Sequence, residues 1–436
     1  MKIVLFTPVV RTSAIGRVAR LVTAELMAAG HKVTIVRSDS ARLARQPVHD
    51  FGTEIVAWQN EGAVRSVTNN ADYVAYHVGN SFEMHEGCVH WLPKLPGVVC
   101  LHDFFIGSLF YEWSHANGGA NRKQALSILR VWYGKEIADQ YFRFRSGDDF
   151  IARTSIVAPM TEWICSMATG VLAHSSWGIQ RVLNASGGPV QTVPLAYDAP
   201  YAKSTQPQRT NSSGTLRILT FGHINPNKRA ASVITAIGES SLLREKTEYV
   251  LAGSIASDMR DQLQALADQM AVKLKILGQV DDATLASEIV NSDIISCLRW
   301  PSLESASASL IESLLYGKAT IVTDTGFYSE LPADYVIKIS PTREIPALRK
   351  ALERLSADEA ERLRIGQAAR AWAIQTFSVN NYVEQTIELF RLVSRARPGL
   401  RGIRHYSQTL NKWQATEQVL SIASTTSPMS IFEGDG

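Results

Sequence analysis

Only four cysteines, Cys88, Cys100, Cys165 and Cys297, are spread over 436 residues, and no two of them form a CxxC pair. A disulfide framework and a cysteine-based zinc site are therefore not expected, and a reducing compartment fits best. No apolar run reaches the roughly eighteen residues that a bilayer span needs. The opening MKIVLFTPVVRTSAIGR is broken by Pro8 and Arg11, too early for a signal-peptide core, so the expected location is cytoplasmic. A formal net charge of +3 gives no basic excess, and no nucleic-acid partner is expected. No GxGxxG follows the first strand-like run, and neither GxxxxGK[ST] nor HExxH occurs. Dehydrogenase, P-loop NTPase and zinc-peptidase readings lose their main support.

What is present is ordinary in composition, 45% hydrophobic and 19% charged, and too long for one core. Strand-like runs alternate with helical patterns: KIVLF (2–6), a helix over 14–29, KVTIVR (32–37), TEIVAW (53–58), YVAYHV (73–78) and GVVCLHD (97–103). In the first helix Ile15, Val18, Ala19, Leu21, Val22, Leu26 and Met27 share one side, and Gly30 suits the position after it. Residues 104–165 interrupt the alternation with an aromatic, helical stretch, in which GDD (147–149) reads as irregular surface. GVLAHS (170–175), a helix near 176–186 and VQTVPLAYD (190–198) resume it. The polar segment 202–215, with Pro207 and Gly214, reads as a linker.

The alternation then restarts with strands in 216–224, 248–254, 272–278, 293–299, 318–324 and 335–340, and helices at 343–355, 357–376 and 379–396 close the chain. This is an α/β chain with two Rossmann-like units: 1–205, and 206–378, with 379–436 expected to pack back on the first. Ligands of such sheets bind outside the carboxyl ends of the strands, so the expected site is the cleft between the two units.

Two stretches lie at that edge of the second unit. FGHINPNKRA (221–230) ends its first strand with the turn Asn225-Pro226-Asn227 and puts Lys228 and Arg229 at a helix start. Cations there oppose the helix dipole, an arrangement that makes sense if an anion such as a diphosphate is bound. RWPSLESASASLIESLLYGK (299–318) carries Glu304 and Glu312 around the small residues Ser305, Ala306, Ser307, Ala308 and Ser309. Were the whole segment helical, the two carboxylates would stand roughly 12 Å apart along the axis, too far to share a metal or a proton. One long ligand with hydroxyls at both ends and an anionic middle would fit them. Gly16 opens the first helix of the chain, either as a tolerated glycine or as a point of close approach to a phosphate or sugar.

These motifs resemble those of retaining glycosyltransferases of family 4, which have the GT-B fold, two Rossmann-like domains facing each other across a cleft. Glu304-Ser-Ala-Ser-Ala-Ser-Leu-Ile-Glu312 matches the family's glutamate, seven residues, glutamate, and Gly222-His223-Ile-Asn-Pro-Asn-Lys228 matches its G-R-x-x-x-x-K. The resemblance implies that Glu304 meets the hydroxyls of a donor sugar, Glu312 the ribose, and Lys228 the diphosphate. It also makes His102, which closes a strand, a cleft residue beside the sugar. The chain departs from the pattern in two places. His223 replaces the arginine, so that either Arg229 supplies the second positive charge or the diphosphate contact is weaker, and Ser305-Ala306-Ser307 replaces Gly-Phe-Gly.

On this resemblance the protein transfers a hexose from a nucleoside-diphosphate sugar to a saccharide or lipid-linked saccharide, with retention and with neither a metal nor a cofactor. The segments 122–145 and 391–404 mix basic residues with aromatic or apolar ones. They read either as a peripheral membrane contact or as an ordinary solvated face. Two other classes remain open, a sugar-nucleotide epimerase of the same architecture and a non-catalytic nucleotide-sugar-binding protein.

Overall fold

The structure, a computed structural model, describes residues 1–199 and 215–414. The expected linker therefore falls outside the described residues, except for its last position, as does the end of the tail. Thirteen strands form two separate parallel sheets among the described residues. The first contains β1 (Lys2–Thr7), β2 (Lys32–Arg37), β3 (Ile55–Ala57), β4 (Tyr73–Val78), β5 (Val98–Leu101), β6 (Gly170–Ala173) and β7 (Val190–Thr192), in the order β3-β2-β1-β4-β5-β6-β7. The second contains β8 (Leu216–Phe221), β9 (Thr247–Ala252), β10 (Leu274–Gly278), β11 (Ile294–Cys297), β12 (Ala319–Thr323) and β13 (Ile337–Ile339), in the order β10-β9-β8-β11-β12-β13. In each sheet the order reverses beside the first strand, between β1 and β4 and between β8 and β11. Such switch points open a crevice at the carboxyl edge.

The inner strands are short and largely buried, as sheets covered on both faces require: all six residues of β8 and all five of β12 are buried, whereas the edge strands β3, β7 and β10 are mostly not. The helix Ala14–Ala28 starts where Ser13 accepts the Gly16 N–H and ends at Gly30, whose φ of +81° suits glycine. Its buried face holds Val18, Ala19, Val22 and Leu26, whereas Met27 is turned outward. The segment 104–165 is helical as expected, but GDD begins the helix Gly147–Thr154, where Ser146 caps the Asp149 N–H.

The last helix runs from Val379 to Lys412, well past the expected end at 396, and continues through Pro398. Proline removes only its own N–H donor, so flanking turns can carry a helix past it. The helix packs on the first sheet's unit: Tyr73 stacks on Phe390 at 4.6 Å and exchanges a hydroxyl hydrogen bond with Ser394 at 2.8 Å. One apolar core runs from the helix Ala14–Ala28 through Val193–Tyr197 to Leu310–Tyr316 and on to Tyr382–Val393.

Candidate active site

Three loops at the carboxyl edges meet between the sheets. The first follows β8. Gly222 has a φ of +88°, and a Cβ there would stand 2.9 Å from the Lys228 Nζ. The positive φ calls for glycine, and the lysine folds against it. The Lys228 ammonium is buried and donates to the Phe221 carbonyl. Burial, aided by the nearby Arg299 guanidinium, pulls its pKa down to about 7. The Asn225-Pro226-Asn227 turn forms as read, a short 3-10 turn over Pro226–Lys228. The Asn225 Oδ1 is buried there without a protein partner among the described residues.

Arg229 does not join Lys228. Its guanidinium is bound by Glu344 at 2.9 Å, so the expected second diphosphate cation is committed elsewhere. His223 is exposed and bonds the Ser254 hydroxyl at 2.9 Å. The cation beside Lys228 is Arg299, two residues past the end of β11 and 5% exposed. Its Nε binds Glu304 at 3.0 Å, its other nitrogens reach the Leu298 carbonyl and the Ser309 hydroxyl, and Tyr328 donates to the same Glu304 oxygen. Glu304 is thereby fixed from two sides.

The second loop, 298–307, corrects the helical reading of the glutamate segment. The helix spans only Ala308–Leu315, with Ser307 accepting the Leu310 N–H as its cap. Glu304 thus lies on an extended stretch ahead of the helix start, and Glu312 lies inside the helix. Ser305 and Ser307 are buried, and Ala306, Ala308 and Ser309 are partly so. Glu312 is 8% exposed; Tyr197 donates to it at 3.4 Å, and the Arg17 guanidinium lies 3.9 Å away. Burial outweighs these partners and raises its pKa to about 7. Arg17 also holds Asp198 at 3.0 Å, so a first-sheet helix and the segment after β7 both reach Glu312. Gly16 has a packing explanation: a Cβ there would be 2.6 Å from the Pro8 carbonyl oxygen.

The third loop follows β5 and pairs with the second. Asp103 and Glu304 form an antiparallel bridge, Phe104 and Phe105 both donate to the Leu303 carbonyl, and Ser305 donates to His102. His102 is buried, 2.9 Å from His77 through their ring nitrogens and 4.8 Å from the His174 ring. Burial and the neighbouring histidines press its pKa well below the usual range, and burial brings His77 and His85 to about 3 and His174 to about 4. His102 is therefore a neutral imidazole at physiological pH, able to donate or accept one hydrogen bond but not to supply charge.

The structure thus brings Glu304 and Ser309 onto Arg299, with Lys228 beside it, Glu312 further along the helix, and Ser305 tied to His102 through the backbone. It leaves His223 and Arg229 outside that group. Reading by sequence passed over Arg299, Tyr328, Arg17, Tyr197 and Asp103. Arg299 and Asp103 carried a signal, each ending an expected strand (293–299 and 97–103) at the ligand-binding edge.

Comparison with known proteins bears on the second unit and on the fold. Residues 203–372 match the family model described as glycosyl transferases group 1. Over 147 residues the chain is 29% identical to phosphatidyl-myo-inositol mannosyltransferase of Mycolicibacterium smegmatis, covering 34% of this chain and 36% of that relative. Among solved structures, sucrose-phosphate synthase from Thermosynechococcus elongatus superposes with a TM-score of 0.62 at 15% identity, over 91% of this chain and all of that one. Anabaena HepE, solved with UDP, gives 0.61 at 14%, over 89% of this chain and all of that one. The fold is the GT-B arrangement of two Rossmann-like domains.

Proposed function

We propose that the protein is a glycosyltransferase that moves a hexose from a nucleoside-diphosphate sugar to a saccharide or lipid-linked saccharide, with retention and without a metal. The observation that carries this reading is the edge of the second sheet. Lys228 and Arg299 stand side by side there, next to Glu304 and the start of the helix Ala308–Leu315. Two buried cations and a helix N-terminus are what a leaving diphosphate requires, since they stabilise developing negative charge where no water competes. The match to the group 1 model covers this region, and a structural neighbour was solved with UDP-glucose.

In this reading the diphosphate lies against Lys228 and Arg299. Glu304, its carboxylate oriented by Arg299 and Tyr328, binds hydroxyls of the sugar. Glu312 binds the ribose once Arg17 and Tyr197 release it, and neutral His102 donates a hydrogen bond to the sugar. As the bond from the anomeric carbon to the diphosphate breaks, the electron pair leaves with the phosphate and the cations take up the charge. Incubation with a panel of nucleotide sugars should release nucleoside diphosphate from one of them, and the product should keep the donor's anomeric configuration by NMR. An isomerised donor would support an epimerase, and binding without turnover a non-catalytic protein.

The acceptor reading includes a peripheral seat on the cytoplasmic face of a membrane. No helix of the described residues is long and apolar enough to cross one. The helical segment 104–165 exposes Val131 at 76% and Ile156 at 71%, and it carries a cavity lined by Tyr141, Phe144, Phe150, Arg143 and Arg153. Apolar side chains next to arginines suit an anionic bilayer surface. Co-sedimentation with phosphatidylglycerol vesicles at low salt is expected, and its absence would remove the membrane seat while leaving the transferase reading intact.

A further inference from the structure

The transferase reading, on which this inference rests, has neutral His102 donate a hydrogen bond to the donor sugar. That requires a proton on the ring nitrogen left free to reach it. We propose that His77 is the positioning residue that puts the proton there: the His77 Nδ1–H donates to the His102 Nε2, so that His102 keeps its own proton on Nδ1 and offers it to the sugar.

Strand alternation brings the two rings together. His77 lies on β4, opposite Cys100 of β5. His102 follows Cys100 by two residues, and its N–H continues the ladder to the Val78 carbonyl at 2.9 Å. Opposed residues share a face of the sheet, as do residues two apart, so His77 and His102 project from the same side. Their rings stack 5.2 Å apart at an angle of 24°, with the His77 Nδ1 2.9 Å from the His102 Nε2. Both are buried, 1% and 6% exposed. His174 extends the row by the same rule, since it stands two residues past Leu172, the β6 partner of Cys100.

The neighbours leave His77 as the one group able to set the His102 tautomer. His174 bonds the Val193 carbonyl through Nδ1 at 3.1 Å. A carbonyl only accepts, so His174 carries its proton on Nδ1 and has none to give from Nε2. His85 is turned to the backbone, where its Nε2 accepts the Gly79 N–H at 3.1 Å. Among the described residues no group besides His77 hydrogen-bonds the His102 ring. Burial keeps all four rings neutral, so what is at stake is which nitrogen holds the proton rather than whether the ring is charged.

A neutral imidazole donates through one nitrogen and accepts through the other, so the bond made at Nε2 decides what Nδ1 can do. With Nε2 accepting from His77, Nδ1 must be the donor. The reversed bond would leave Nδ1 bare, unable to give a hydrogen bond to the sugar. Stability alone does not call for the pair. Two buried polar rings gain little by bonding each other, and two apolar rings of the same shape would serve the core about as well. The backbone of His102 is fixed too, because its carbonyl accepts the Ser305 N–H at 3.2 Å, next to Glu304 in the chain.

Nitrogen NMR of histidine-labelled protein tests the assignment directly, because a protonated and a bare imidazole nitrogen resonate far apart. The His102 signals are those lost in His102→Asn. In the wild type Nδ1 should carry the proton. His77→Phe keeps a ring but has no donor, and there the His102 proton should spread over both nitrogens. Its kcat/KM for the nucleotide sugar that the wild type turns over should fall about tenfold, the worth of one hydrogen bond. The Kd of the free nucleoside diphosphate, which has no sugar, should stay unchanged and so report an intact fold. His77→Asn, whose amide N–H comes near the place of the imidazole Nδ1–H, should restore the Nδ1–H form and most of the activity, whereas a role in packing alone would favour phenylalanine over asparagine. A wild-type His102 with its proton on Nε2, or wild-type kcat/KM in His77→Phe, would overturn this inference and leave the transferase reading standing. A wild type that turns over no nucleotide sugar would overturn that reading and, with it, the use made of the Nδ1–H.

Discussion

Lys228→Met is expected to weaken nucleotide-sugar binding by about 100-fold, because it removes the buried charge proposed to face the diphosphate, a change typically worth a few kcal/mol. The loss has a pH signature that separates charge from shape. In the free protein burial and Arg299 hold the Lys228 pKa at about 7. Bound diphosphate needs the ammonium form. Below pH 7 the lysine is already charged and binding costs no proton. Above pH 7 the protein must take up a proton to bind, so Kd should rise by up to tenfold per pH unit. A nucleotide sugar is the right probe, since its diphosphate does not titrate in this range. Glu312, whose pKa is also raised to about 7, gains charge as pH rises and acts in the opposite sense through the ribose. The wild type should therefore show a falling limb above pH 7 that Lys228→Met lacks. Calorimetric titration between pH 6 and 9 reads both, and equal slopes in the two proteins would remove Lys228 from the site.

Arg299→Met is expected to be costly to the fold as well as to the ligand. The guanidinium is 5% exposed and donates to Glu304, the Leu298 carbonyl and Ser309. Truncation leaves three acceptors short of a donor and Glu304 held by Tyr328 alone. Removing one partner of a buried ion pair typically costs about 3–5 kcal/mol. For a domain of this size that is a fall in Tm on the order of 10 °C. Arg299→Lys keeps the charge but not the fork and should recover only part of it. A second consequence is specific to the geometry. Arg299 helps depress the Lys228 pKa, so in a folded Arg299→Lys protein, whose ammonium sits further from Lys228, the pH limb of binding should move upward. Differential scanning calorimetry of Arg299→Met, with wild-type Tm as the contrary outcome, checks the first part. The pH titration of Arg299→Lys checks the second.

Much of the fold was legible because parallel strands covered on both faces are apolar throughout, and such runs as KIVLF and KVTIVR stand out between helical patterns. The placement of Lys228 and Glu304 at the sheet edge was legible for a different reason: each lies seven residues past the end of a strand, β8 or β11. Partners far away in sequence were not legible. Arg229 looked free until Glu344, 115 residues away, was seen to hold it. Glu312 looked free until Tyr197 and Arg17 were seen to reach it from the other domain. The opposition of Asp103 to Glu304 was hidden in the same way, since it exists only once the domains face each other. The glutamate spacing misled in one respect. Small residues gave no cue to where the helix begins, and the Ser307 cap moves its start four residues beyond Glu304.

The proposed function stands on the carboxyl edge of the second sheet holding a nucleoside diphosphate through Lys228 and Glu312. Calorimetric titration of UDP, GDP, ADP, CMP and TDP into the wild type and into Lys228→Ala and Glu312→Ala tests it most directly. At least one nucleoside diphosphate should bind the wild type, and either substitution should abolish the heat. Binding that survives unchanged in both variants, or no binding to the wild type by any of the five, would contradict it.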